Sequence, residues 1–217
     1  GNTALAGDLV WTDDHHHLSA APGSIHFSRS EENRLSYFLT DVAATLNRET
    51  FATTGYTIEA FIKIDKTWTT ANAWMKIMPR GGWNQNFPGF KGANESPPML
   101  FAISNLREVQ FEVVPQLPAP TSARANWSGE VMTDSWLHIA VVNDPVAKET
   151  TMYVEGAPIL CNTIDTAGLA TQDLPWVVGA GYSDGEGPNG GFLGSIGEVR
   201  LVAKPLPPAQ WLTARAA

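Results

Sequence analysis

Apolar residues recur at every second position, in runs too short for any regular structure but a β-strand. In GYTIEAFIKI, Ile58, Ala60, Ile62 and Ile64 fall on one side and Thr57, Glu59, Phe61 and Lys63 on the other. Successive side chains of a strand point to opposite faces, so this alternation predicts a strand with one face in a core. The same rhythm returns in AWMKIM, MLFAIS, VQFEVV, SWLHIAVVND, TTMYVEGAPIL, LPWVVGAG and GEVRLVA. Gly, Pro, Asn or Asp bounds each run, and the 19 glycines and 15 prolines are spread along the whole chain. These residues fix φ or supply unusual values of it, which is the chemistry of turns. VEGAP predicts a tight hairpin between Tyr153 and Ile159. Helical signals are confined to a turn at SYFLTDVAATL and to LPPAQWLTARAA, where Pro suits a first helical turn. The expectation is an all-β sandwich of about a dozen strands, its paired sheets sharing one core.

No linker, charge run, low-complexity tract or repeat divides the 217 residues, so residues 1–217 read as a single domain. The chain starts at Gly1 rather than Met, which suggests a piece excised from a larger protein. Lys and Arg number 14 against 22 Asp and Glu, a net charge of −8, with no basic cluster dense enough to follow a phosphate backbone. Nucleic acid and anionic membrane are therefore poor partners. No apolar run approaches the roughly 18 residues a membrane span needs, and no signal peptide is visible. Cys161 is the only cysteine, which excludes an internal disulfide and a thiolate zinc cage.

In order and spacing these runs resemble the laminin-G-like domains of the concanavalin A-like jelly-roll superfamily. GSIHFSRSEENRLSY is similar to the family's opening strand, YTIEAFIKI to its second conserved strand, and MKIMPRGG to the strand after it. SWLHIAVVND, TTMYVEGAPI and GFLGSIGEVRLVAKPLPPAQW resemble the later strand, the hairpin and the closing segment, so the likeness runs from about Gly23 to Trp211. It implies a jelly-roll sandwich of two antiparallel sheets, one concave, with short helical turns only and with rim loops available for ligands. More narrowly, GDLVWTDDHHHLSAAPGSIHFS and the segment from HIAVVND to TTMYVEGAP resemble the accessory domain of actinobacterial calcineurin-like metallophosphoesterases. A phosphoesterase domain would then lie upstream, and the protein would be extracytoplasmic or secreted.

Little in the sequence points to catalysis. Glycosidases of the superfamily set carboxylates two residues apart on a concave strand, because acid and nucleophile must flank the bond. Here Glu59 and Glu198 each stand alone on their strands. They remain the only candidates for a glycan-cleaving enzyme, and strand-to-strand ion pairs with Lys63 or Arg200 are the competing expectation. His138, inside WLHIAVV, reads as a hydrogen-bonded structural histidine. No Gly-x-Ser-x-Gly elbow, His-Glu-x-x-His or P-loop is present.

Two segments carry metal-like chemistry. In an extended TDDHHHL, Asp13, His15 and His17 would share one side at a spacing that suits zinc or nickel. Many laminin-G-like domains bind calcium at the rim, so the resemblance implies calcium as a cofactor. The family's acidic positions read SRSEEN and Gly197 here, which leaves Asp184, Glu186 and Asn189 of YSDGEGPNGG as the oxygen-rich alternative.

The stretch RGGWNQNFPGFKGANESPP, residues 80–98, joins two strands by a connection longer than the usual two to six residues or so. Trp83, Phe87 and Phe90 offer flat apolar faces, and Asn84, Gln85 and Lys91 offer hydrogen-bonding groups. A sugar ring stacks its CH face on an aromatic and bonds through its hydroxyls, so the mixture suits carbohydrate; the competing expectation is that these aromatics fold back over the sheet rim or over Trp68 and Trp74. Trp127 in RANWSG forms a second candidate surface, and Tyr182 adds a further aromatic. The expected function is a noncatalytic module that binds carbohydrate or another surface ligand for a larger secreted protein. A structural domain packed on the phosphoesterase is the alternative.

Overall fold

A computed structural model describes residues 3–5, 9–28, 35–80, 99–113, 124–170, 173–181 and 190–215. Its larger sheet has seven strands: β2 (Leu9–Thr12), β3 (Ser24–Phe27), β5 (Tyr56–Ile64), β10 (Trp136–Asp144), β11 (Glu149–Val154), β12 (Ala157–Ile164) and β14 (Gly194–Val202). They run antiparallel in the order β12-β11-β10-β5-β14-β3-β2. The second layer is split. A four-stranded sheet holds β6 (Met75–Lys76), β7 (Met99–Ile103), β8 (Glu108–Val113) and β9 (Arg124–Glu130), and a three-stranded sheet holds β1 (Thr3–Leu5), β4 (Tyr37–Leu39) and β13 (Val177–Val178). Arg80 joins the two pieces, pairing with Met99 on one side and with Trp176 on the other. The expected two-layer jelly-roll sandwich is thus present, with its second layer hydrogen-bonded as two pieces.

The core lies where the alternation puts it. Ile58, Ala60, Ile62 and Ile64 of β5 meet Phe101, Ile103, Val109, Phe111 and Val113 of the four-stranded sheet in one buried cluster. Burying aliphatic and aromatic surface of this kind contributes on the order of 1.5–3 kcal/mol per large side chain. The hairpin also forms as read: Tyr153 pairs with Pro158 and Val154 with Ala157, and Glu155 and Gly156 turn the chain with positive φ. Three segments differ from the sequence reading. RANWSGE, not among the strands read from sequence, forms strand β9, its alternation masked by a bulge against β8. YFL forms strand β4, and a single 3-10 turn, Thr45–Arg48, follows it. LVWT forms the edge strand β2.

Both faces of β5 are buried. The side carrying Thr57, Glu59 and Phe61 is as inaccessible as the core side, because the ends of the chain lie across it. His16 stacks on Phe61 with ring centroids 4.5 Å apart. From the other end, two 3-10 turns, Pro208–Gln210 and Leu212–Ala214, carry Trp211 onto His138 and Tyr153. Where β14 starts, Gly194 has φ +138°, and a Cβ there would stand 2.1 Å from the carbonyl oxygen of Lys63. Gly194→Ala is accordingly expected to cost about 3 kcal/mol, read as a lowered midpoint in thermal or denaturant unfolding.

Candidate functional site

On the four-stranded sheet, strand register assembles a row of outward-facing residues. Lys76 lies opposite Ala102, Ala102 opposite Gln110, and Gln110 opposite Trp127. Their neighbours Met75, Ile103 and Val109 belong to the core, so by the two-residue period of a strand this row points away from it. Leu100 and Glu112, paired with each other, form the next row on the same face. Trp74 meets Trp127 edge to face, with ring centroids 6.0 Å apart and planes at 80°. Trp74 is 41% exposed, so this aromatic wall reaches solvent.

The floor beneath the wall is polar and withdrawn from water. Lys76 and Gln110 are buried, and Glu112 is half-buried. The Gln110 amide donates from Nε2 to Glu112 Oε2 at 3.1 Å. An ionised carboxylate only accepts, which holds the amide nitrogen toward Glu112 and turns Gln110 Oε1 the other way. That oxygen is buried without a hydrogen-bond partner. A native fold seldom leaves such an acceptor unmet, because burial costs it the hydrogen bonds water would have made. Burial raises the pKa of Glu112 above the ordinary carboxylate value, and the Lys76 ammonium works against the shift.

Described residues that flank two long connections lie at this face. Arg80, the first residue of the 80–98 stretch, is bridged to Met99, which follows it. Arg80 is buried, donates from Nη1 to the Glu49 carbonyl at 2.5 Å and from Nη2 to the Asn47 carbonyl, and lies over the Trp176 ring. Gly190 accepts the Lys76 N–H at 2.7 Å. Its φ is +60° and an added Cβ would meet the Trp74 carbonyl at 2.4 Å, so a side chain there is strained on both counts.

Of the residues named from sequence, Trp127 sits on this face. Trp83, Asn84, Gln85, Phe87, Phe90, Lys91, Tyr182, Asp184, Glu186 and Asn189 lie outside the described residues. Asp13, His15 and His17 do not share one side of an extended segment. The chain turns at His16 instead of staying extended, with the Ser19 N–H bonded to the His16 carbonyl at 2.8 Å. His15 Nδ1 contacts the Asp13 carbonyl, His16 is buried against Phe61, and no metal-holding group of three forms among the described residues. Lys76, Gln110, Glu112 and Trp74 were not singled out as site residues. The signal for Gln110 and Glu112 was the alternation of VQFEVV, and that for Trp74 and Lys76 the alternation of AWMKIM, whose members away from Met75 and Ile77 mark the face opposite the core.

The two lone carboxylates are occupied elsewhere. Glu59 Oε2 accepts from His138 Nε2 at 3.0 Å and from the Leu212 N–H at 2.8 Å, and Oε1 accepts from Arg200 Nε at 3.0 Å. Its side chain has no exposed surface. Burial alone would raise its pKa, but the bonds from His138, the Leu212 N–H and Arg200 together outweigh that and hold it below the ordinary value. Glu198 accepts from Arg215 at 2.6 Å. Glu59 is sealed and fully bonded, and both carboxylates sit in ion pairs: Glu59 with Arg200, as the competing expectation had it, and Glu198 with Arg215 rather than Lys63 or Arg200.

A sequence profile described as the concanavalin A-like lectin/glucanases superfamily, of laminin-G type, matches residues 39–210, and the chain belongs to that superfamily. Similar solved structures include domain 4 of an extracellular arabinanase from Geobacillus stearothermophilus in complex with arabinotriose. It is 13% identical, the match covering 100% of this chain and 88% of that one, with TM-score 0.59. The CBM40 module of a Ruminococcus gnavus sialidase, bound to α2,3-sialyllactose, is 15% identical over 96% of both chains, with TM-score 0.60. A heptameric SAP-like pentraxin from Limulus polyphemus is 13% identical over 89% of this chain and 81% of that one, with TM-score 0.56. At such identities the likeness establishes the fold. No curated protein sequence matches the chain. No helix among the described residues is long and apolar enough to cross a membrane.

Proposed function

We propose that this chain is a noncatalytic carbohydrate-binding module of a larger extracytoplasmic protein, and that the outward face of its four-stranded sheet is the binding surface. The observation that carries this reading is the pairing of an exposed aromatic wall, Trp74 and Trp127, with a buried polar floor that keeps an unmet acceptor at Gln110 Oε1. Sugar recognition needs both parts: stacking on the CH face for affinity and directed hydrogen bonds for orientation. The aromatic and amide residues of the 80–98 stretch join the reading as further contacts, since the described residues that flank them, Arg80 and Met99, pair with each other at this sheet. Structural neighbours solved with arabinotriose and with sialyllactose support carbohydrate as the ligand class.

Association with an upstream metallophosphoesterase belongs to this reading only through the resemblance of the opening and hairpin segments. A docking role would need an open apolar sheet face, and the chain's own ends cover the outer side of β5.

A glycan-array screen of the wild-type chain, run in calcium and in chelator, tests the proposal. Binding to a discrete set of glycans is expected, and a blank array would refute it. Loss of signal in chelator would assign calcium to the site through Asp184, Glu186 and Asn189. A Trp83→Ala, Phe90→Ala double variant is expected to weaken binding by about tenfold while remaining folded.

A further inference from the structure

The chemistry of the floor narrows the kind of sugar. Strand register sets Lys76 and Glu112, one cation and one anion, on the same outward face. Neither sign of charge is in surplus among the described groups of the floor. The hydrogen-bonding capacity is lopsided instead. Gln110 spends a donor on Glu112 and leaves its acceptor open, and the half-buried carboxylate next to it accepts as well.

An open acceptor beside a carboxylate asks for a ligand O–H. A ligand carboxylate, ionised at neutral pH, offers no donor to Gln110 Oε1 and repels Glu112 in a place where water screens poorly. Hydroxyl groups on an uncharged ring satisfy the acceptors at no charge penalty, and the ring's CH face suits the Trp74–Trp127 wall.

We propose that this face takes an uncharged, hydroxyl-bearing sugar and discriminates against glycans whose contacting residue carries a carboxylate, with Gln110 Oε1 accepting from a ring hydroxyl and Glu112 supplying the exclusion. The inference rests on the carbohydrate-binding reading above and adds a ligand class to it. The fold leaves the matter open, since its neighbours were solved with a neutral and with an acidic oligosaccharide alike.

Matched pairs test it: lactose against α2,3-sialyllactose, arabinotriose alone, and galacto-oligosaccharides against oligogalacturonides, each titrated by calorimetry. The best neutral probe is expected to bind about tenfold or more tightly than its acidic counterpart, the size expected for a buried acceptor left unmet. Gln110→Leu should lower neutral binding by a similar factor. Glu112→Gln, which keeps the shape, should narrow the neutral-to-acidic ratio several-fold with the unfolding midpoint little changed. Preferential binding of the acidic members, or a ratio indifferent to Glu112→Gln, overturns this inference and leaves the carbohydrate reading standing. No titratable binding to any probe, together with a blank glycan array, overturns both.

Discussion

Glu59→Ala is expected to destabilise the fold by about 3–5 kcal/mol, the cost of removing one partner from a buried ion pair and leaving the other charge unmet. Arg200 faces Glu59 directly across the β5–β14 ladder, His138 reaches it from β10, and the Leu212 N–H descends on it from the closing segment. One carboxylate therefore pins three strands and the carboxy-terminal turns together. Without it Arg200 keeps only its bond to the Gln210 carbonyl, at 2.7 Å, and the Leu212 N–H loses its acceptor. Denaturant unfolding reads the loss, and Trp211 fluorescence should report it early, since that ring packs on His138 and Tyr153. A domain of this size has on the order of 5–15 kcal/mol in all, so the variant approaches the limit of folding.

The same cluster fixes a pH dependence. The pKa of Glu59 is lower in the folded chain than its ordinary value of 4.5. A depressed carboxylate stabilises fully above its unfolded pKa, and that contribution disappears as pH falls from about 4.5 through the lower folded value. Glu112 has the opposite sign. Its raised folded pKa means that its ionised form disfavours the fold, so its contribution improves as pH falls through the raised value. Acid unfolding of the wild type should therefore steepen below pH 4.5, and Glu59→Gln should flatten that limb from a lower plateau. An unchanged acid limb in Glu59→Gln would show that the carboxylate titrates normally.

The second large effect concerns binding. Trp127→Ala should cost about 2 kcal/mol of affinity, roughly a thirtyfold rise in Kd, as truncating a central aromatic anchor does. Trp127 stands at the end of the Lys76–Ala102–Gln110 row and holds Trp74 edge to face, so its loss removes one ring and frees the other. Its half-buried position makes some destabilisation certain to accompany the change. Affinity should therefore be measured well below the variant's unfolding midpoint, with the Trp74→Ala variant beside it. Trp74 is the more exposed of the two, and its truncation should weaken binding with less effect on folding.

Period-two alternation made the sheets legible, because a strand with one side in a core writes its geometry directly into the residue order. It placed Ile58, Ala60, Ile62 and Ile64 inward, and the Tyr153 to Ile159 hairpin follows from its turn residues. What alternation cannot encode is a second covering. Alternation puts Glu59 and Phe61 on the side away from the core without saying what lies over them, and distant residues from both ends of the chain bury them. Strand β9 was obscured for a different reason: the bulge between Glu108 and Gln110 in its pairing shifts the rhythm of RANWSGE by one residue. The site was half legible. Trp127 stood out as an aromatic among small polar residues, whereas Lys76, Gln110 and Glu112 come together only through the register of three strands. The spacing of Asp13, His15 and His17 assumed an extended segment, and the chain turns there instead.

The most direct test of the sugar-binding face is a 1H–15N NMR titration of the wild-type chain with the strongest glycan from the array. The indole N–H signals of Trp74 and Trp127 and the side-chain amide of Gln110 are expected to move together and to saturate with one Kd. Shifts confined to residues of the seven-stranded sheet, or none in these three groups while glycan binds, would contradict the assignment.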